Sequence, residues 1–231
     1  MTEVHLIGID IAKRVFQAHA INKNGETLWA KKLSRSQFER FIRETPTTTI
    51  AMETCGGAHH WGRVAQTVGH KVRLLPPQYV KPYVKRHKSD AIDAAAIAEA
   101  ATRPGMSFVA VKTEAQQSRS ARYRTRDLFV RQRTQSIYAM RGHLLEFGIA
   151  LPKGQNSVAP FLRDARNAID EAVPPLMKPI AETYLRQILF LTDQIDDYEK
   201  ALRMEARENI EMKRMQSLPG IGPISALAVE A

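Results

Sequence analysis

Short apolar segments separated by turn residues fill the first 110 residues of the chain. Val4–Ile9 and Val15–Ile21 flank Asp10 and read as strands, and Asn24-Gly25 is a hairpin signal before a third strand, Thr27–Leu33. Ser34 or Ser36 can cap a helix running to Glu44, with Glu39 three residues after Ser36 as in a capping box. Pro46 and the threonine run 47–49 end that helix before a fourth strand, Thr48–Met52. Gly56-Gly57 leads into a helix over His59–Val68, and Lys71–Leu75 closes the series as a fifth strand. Three strands, helix, strand, helix, strand predict an α/β unit with a mixed sheet.

The period then changes from 2 to 3.5. Thr113–Phe147 contains no proline, and Tyr123, Val130, Ile137 and Leu144 recur every seven residues, so one long helix is expected. Arg119, Arg126 and Arg133 form a second stripe at the same spacing, and Arg122, Arg124, Arg131 and Arg141 join them against only two acids up to Arg141, Glu114 and Asp127. After Pro174-Pro175, Ala181, Ile188, Ile195 and Leu202 take one heptad position, and Met177, Tyr184, Leu191 and Tyr198 take the other. That pattern predicts a coiled coil, formed either between chains or as a hairpin with the arginine-rich helix. The expected organisation is an α/β domain over 1–110, the arginine-rich helix over 111–150, a helical coiled-coil segment over 151–215 and a last element over 216–231.

Four acids carry the candidate chemistry. Asp10 and Glu53 each end an apolar run, and Asp90 and Asp93 lie three apart in the alanine-rich stretch HKSDAIDAAAIAEA, on one helix face. A carboxylate at the end of an apolar strand is costly unless it is paired or binds a metal. Clustered oxygen ligands suit Mg²⁺ or Mn²⁺, and two such ions can promote phosphodiester cleavage. Taken singly, each acid is better explained as a turn, a cap or a surface ion pair; the set of four in this order is not.

Charge changes the picture further. The 231 residues include 34 Lys and Arg against 24 Asp and Glu, a formal net charge of +10 that favours a polyanionic partner. No acid occurs between Thr54 and Ser89, a window that holds Lys81, Lys85, Arg86 and Lys88 with Tyr79 and Tyr83 interleaved. Such a loop can guide phosphates, as can the guanidinium groups of Arg119, Arg122, Arg126 and Arg133, which fork onto phosphate oxygens. Near the end, Leu218-Pro-Gly-Ile-Gly-Pro223 has the form of a helix-hairpin-helix turn, where Gly220 and Gly222 would offer backbone N–H groups to a phosphate. His59, His60 and His87 have no zinc-ligand spacing with Cys55, the single cysteine, which is expected to be a small buried hydrophobe. One cysteine excludes an internal disulfide and suits a reducing cytoplasm. The start has no basic, apolar leader, and no apolar run approaches the roughly 20 residues a membrane span needs, so membrane insertion is excluded.

GIDIAKRVF, TIAMETCGG, KSDAIDAAAIA, the arginine-rich stretch from Arg122 and LPGIGPISA, in this order, resemble the DEDD-type insertion-sequence transposases, the family that includes Piv-like invertases. The resemblance implies a RuvC-type, RNase H-like catalytic domain with Asp10, Glu53, Asp90 and Asp93 as the catalytic and Mg²⁺- or Mn²⁺-binding tetrad. It implies DNA partners (element ends and target), an element-encoded guide RNA, self-association, and a bacterial cytoplasmic, nucleoid-associated setting. It also implies a further domain bearing a nucleophilic serine; Ser225 does not match that motif, and the chain reads as truncated within its last domain. The alternatives are a stand-alone RuvC-like nuclease or resolvase and a catalytically silent nucleic-acid-binding protein. An actin-like sugar kinase is disfavoured because no glycine-rich phosphate loop is present.

Overall fold

The computed structural model describes residues 3–84, 90–154, 157–164 and 166–230, with Asp90 and Glu230 described by backbone alone. The chain divides into two compact units, Met1–Thr113 and Glu114–Ala231.

In the first unit, β1 (Leu6–Ile11), β2 (Val15–Ile21) and β3 (Thr27–Ser34) form an antiparallel meander, and β4 (Thr49–Glu53) and β5 (Lys71–Leu75) add in parallel. The sheet order is β3-β2-β1-β4-β5, the arrangement of an RNase H-like fold. The hairpin between β2 and β3 is held by Asn22, whose Oδ1 accepts from the backbone N–H groups of Asn24 and Glu26, and by Gly25 at φ 82°. α1 (Arg35–Glu44) is capped by Ser34: the Gln37 side chain accepts from the Ser34 N–H while the Ser34 hydroxyl accepts from the Gln37 N–H. The box therefore sits two residues earlier than a Ser36/Glu39 pair would place it, and Glu39 instead pairs with Arg43 one turn on.

The two faces of the sheet are packed differently. On one, α1 and α2 (Ala58–Thr67) cover Ile7, Ile9, Phe16 and Ala18; Phe38 stacks on Phe16 at 4.3 Å between ring centres and Trp61 meets both edge-on. On the other, α4 (Asp90–Thr102) lays Ala96, Ile97, Ala98 and Ala101 against Leu6, Ala51 and Leu75. Its approach is very close: a Cβ on Gly8 would lie 2.4 Å from the Ala94 carbonyl oxygen and 2.6 Å from the Ala98 nitrogen. Glycine in the strand and alanine in the helix are thus one requirement. Between β5 and α4 lie a short α3 (Pro77–Val80) and a 3₁₀ turn over Lys81–Tyr83.

The second unit is helical. α5 (Glu114–Leu145) and α8 (Lys178–Glu208) pair as an antiparallel hairpin, so of the two arrangements the heptads allow, the one within the chain is formed. Ile137, Met140 and Leu144 of α5 meet Ala181, Leu185 and Ile188 of α8, and Val158, Leu162 and Ile169 from α6 (Val158–Asp164) and α7 (Arg166–Ala172) complete that core. A smaller core joins Leu202 and Ala206 to Met212 of α9 (Ile210–Gln216) and to Ala226 and Leu227 of α10 (Pro223–Glu230). No helix among the described residues is long and apolar enough to cross a membrane.

Candidate active site

Asp10 is the fifth residue of β1 and Glu53 the last of β4, neighbouring parallel strands whose register runs Gly8 to Ala51 and Ile9 to Met52. Both carboxylates belong to the face covered by α4, since they share the alternation of Gly8 and Ala51. Thr54 fixes the end of β4 by donating its N–H (2.8 Å) and hydroxyl (3.2 Å) to the Leu75 carbonyl. Asp93 is in the first turn of α4, and the close seat of Ala94 and Ala98 on Gly8 holds that turn beside Asp10. As a result Asp10, Glu53 and Asp93 line one cavity of about 570 Å³, together with Pro77, Gln78, Lys81 and Val84. All three carboxylates are half-buried.

The neighbouring thiol reports the local charge. Cys55 is exposed rather than buried, and partial desolvation followed by the charges of Glu53 and Asp10 pushes its pKa up. The cavity therefore has a negative wall made by two strands and a helix, with Lys81 on its rim. Hard oxygen donors of this kind fit a divalent cation such as Mg²⁺. Among the described residues, no three His, Cys, Asp or Glu side chains close into a metal-holding group; the Asp90 side chain lies outside them. Lys85, Arg86 and Lys88 also lie outside the described residues.

The arginine stripe of α5 faces α8. Arg119 and Arg122 reach Glu205 at 3.4 and 3.1 Å, and Arg126 donates to Glu199, its Nε at 3.1 Å. Continuing this antiparallel register places Arg133 opposite Thr192, whose hydroxyl donates to Ile188. Arg133 is 8 % exposed and its Nε has no hydrogen-bond partner. Arg124 and Arg131 are on the exposed face of α5, Arg131 paired with Asp127. The apolar heptads allowed the hairpin, but the local spacing of the arginines did not single out Glu199 and Glu205 as their partners. Gly220 (φ 86°) and Gly222 are exposed, and beyond their chain neighbours nothing among the described residues lies within 4 Å of a Cβ built at either, so the turn is open to an approaching group.

Fold and site together define an RNase H-like α/β protein with strand- and helix-borne carboxylates in one cavity, followed by a helical unit. Residues 7–149 match the DEDD transposase family of IS110 elements. The chain is 40% identical over 226 residues to the transposase for insertion sequence element IS1328 of Yersinia enterocolitica, covering 98% of this chain and 67% of that protein. It is 41% identical over 220 residues to a putative transposase of Sinorhizobium fredii, covering 95% and 56%. It is 37% identical over 231 residues to the transposase for insertion sequence element IS1111A of Coxiella burnetii, covering 100% and 64%. The chain belongs to the IS110-type transposase family, and it spans between 56% and 67% of the length of these relatives.

Proposed function

We propose that the first unit binds DNA and cleaves its phosphodiester backbone with a divalent metal, as the catalytic part of an insertion-sequence transposase. The observation that carries this reading is the delivery of Asp10, Glu53 and Asp93 to one cavity by two parallel strands and a helix. In this reading they hold Mg²⁺ or Mn²⁺, with Asp90, three residues before Asp93, as the fourth ligand. The ion's contribution would be to activate water and to stabilise charge on the leaving oxygen. Asp10 and Glu53, anchored in strands, set the position of the site, and Lys81 on its rim offsets the charge of an entering phosphate. The open Gly220–Gly222 turn is a second phosphate contact, through backbone N–H groups. Lys85, Arg86 and Lys88 supply further positive charge near the site in sequence.

For Arg119, Arg122, Arg126 and Arg133 the same proposal has a condition: phosphate contact by the first three must compete with Glu199 and Glu205. Element ends, target, guide RNA and self-association are proposed at the level of the whole transposases, of whose length the chain spans between 56% and 67%.

The test uses the purified chain with supercoiled DNA and Mg²⁺, and separately Mn²⁺ binding followed by the loss of the free-ion electron paramagnetic signal. Asp10→Asn and Glu53→Gln should each weaken Mn²⁺ binding at least tenfold and abolish nicking. Unaltered Mn²⁺ affinity in both variants would show that these carboxylates are not ligands.

A further inference from the structure

The sheet extends past the candidate site on its β2–β3 side. Strand register puts Asp10 opposite Gln17 on β2, and Gln17 opposite Lys32 on β3. Directly opposed residues project to the same face of a sheet, so the three side chains form one row perpendicular to the strands. Two strand spacings separate Lys32 from Asp10, about 10 Å between backbones. Lys32 is exposed and Gln17 half-buried. The adjacent row on this face, His19 and Ala30, borders an open cavity of about 670 Å³ against Ala91 and Ala95 of α4, so this face is not sealed over β2 and β3. On the other flank the row continues to Glu53 and then Leu75 on β5, and α3 follows it to Lys81.

Lys32 thus lies on the β3 side of the acids, and Lys81 lines their cavity. Charge partition supports a nucleic-acid track in this unit: residues 1–113 hold 17 Lys and Arg against 9 Asp and Glu, net +8, whereas residues 114–231 hold 17 against 15, net +2. The arginine-rich helix is almost neutralised by its own unit, and the excess charge belongs to the sheet unit.

We infer that the strand to be cleaved crosses the sheet perpendicular to β1, β2 and β3, with Gln17 and Lys32 binding the phosphates on one side of the reacting one and Lys81 those on the other. Gln17 and Lys32 are positioning residues: the lysine supplies charge, and the amide supplies hydrogen bonds to phosphate oxygens or sugar without sequence information. This inference rests on the active site proposed above. Lys31 is an internal control, since it projects to the opposite face and lies 4.7 Å over the Trp29 ring.

Binding of a fluorescein-labelled DNA duplex to the full chain, measured from 50 to 200 mM salt with Ca²⁺ in place of Mg²⁺, tests it. Lys32→Gln should reduce the slope of log K against log salt by about 0.9, the loss of one duplex phosphate contact. Lys32→Arg should restore the slope, and Lys31→Gln should leave it unchanged. Equal effects of the two lysine-to-glutamine changes, or none from Lys32→Gln, overturn the track while the active-site proposal stands. A wild-type chain that binds no duplex overturns both.

Discussion

Arg133 is where residue-scale physics departs most from the apparent pattern. Three arginines at seven-residue spacing look equivalent, yet two meet a glutamate and the third is buried at the register position of Thr192 with its Nε unsatisfied. A buried N–H left without a hydrogen-bond partner costs free energy, so removing it should stabilise the fold. Arg133→Met keeps the stem's packing and should raise the unfolding free energy by about 1 kcal/mol or more in urea. A loss of stability would mean that Arg133 gains more from its surroundings than its unsatisfied Nε implies. Cys55 gives the opposite lesson at the same scale: small and apolar by composition, it is exposed because Gly56-Gly57 turns the chain outward after Glu53, with Gly57 at φ 97°.

At the scale of elements, the α5–α8 hairpin is held by acid–base pairs whose strength depends on pH. Burial alone would raise the Glu199 pKa, but the hydrogen bond and charge of Arg126, aided by Arg203, outweigh it and hold the carboxyl below its ordinary value. A depressed folded pKa gives stability that is fully present above the unfolded glutamate range, near 4.3, and is lost as pH falls through the lower folded value. Thermal melts of the wild type should therefore lose stability below about pH 4.5 faster than those of Glu199→Gln, and parallel curves would remove the pair from the account. The five strands and the long helices were legible because each has its own period, and most of them end close to a glycine, a proline or a polar cap. Boundaries slipped where two signals competed: Ser34 and Ser36 both qualify as caps, and only the back-bonding Gln37 separates them. The resemblance to a family singled out four acids as a set, and three of them, Asp10, Glu53 and Asp93, line one cavity. The partners of the arginine stripe were not legible, because local spacing cannot say which side chains a hairpin brings together from 70 or more residues away.

For the whole molecule, each unit has its own hydrophobic cores, and the sheet unit is closed by Arg63 donating to the Lys112 carbonyl at 2.8 Å just before the division. Residues 1–113 expressed alone should therefore melt cooperatively by circular dichroism, and a broad, noncooperative melt would show that the sheet unit depends on the helical one. Gly8 carries a consequence for how this unit tolerates change along its length. Because Ala94 and Ala98 sit against the strand backbone at Gly8, steric exclusion fixes the rotational phase of α4 about its own axis. One residue inserted between Asp93 and Ala94 would swing the carboxylate by about 100° and carry it off the cavity, while the alanine seat stayed intact. The same insertion placed ahead of the helix would leave Asp93 in phase. Length variation in this region is thus a matter of angle rather than distance, and the site constrains where in the chain residues can be gained or lost as firmly as it constrains which residues they are.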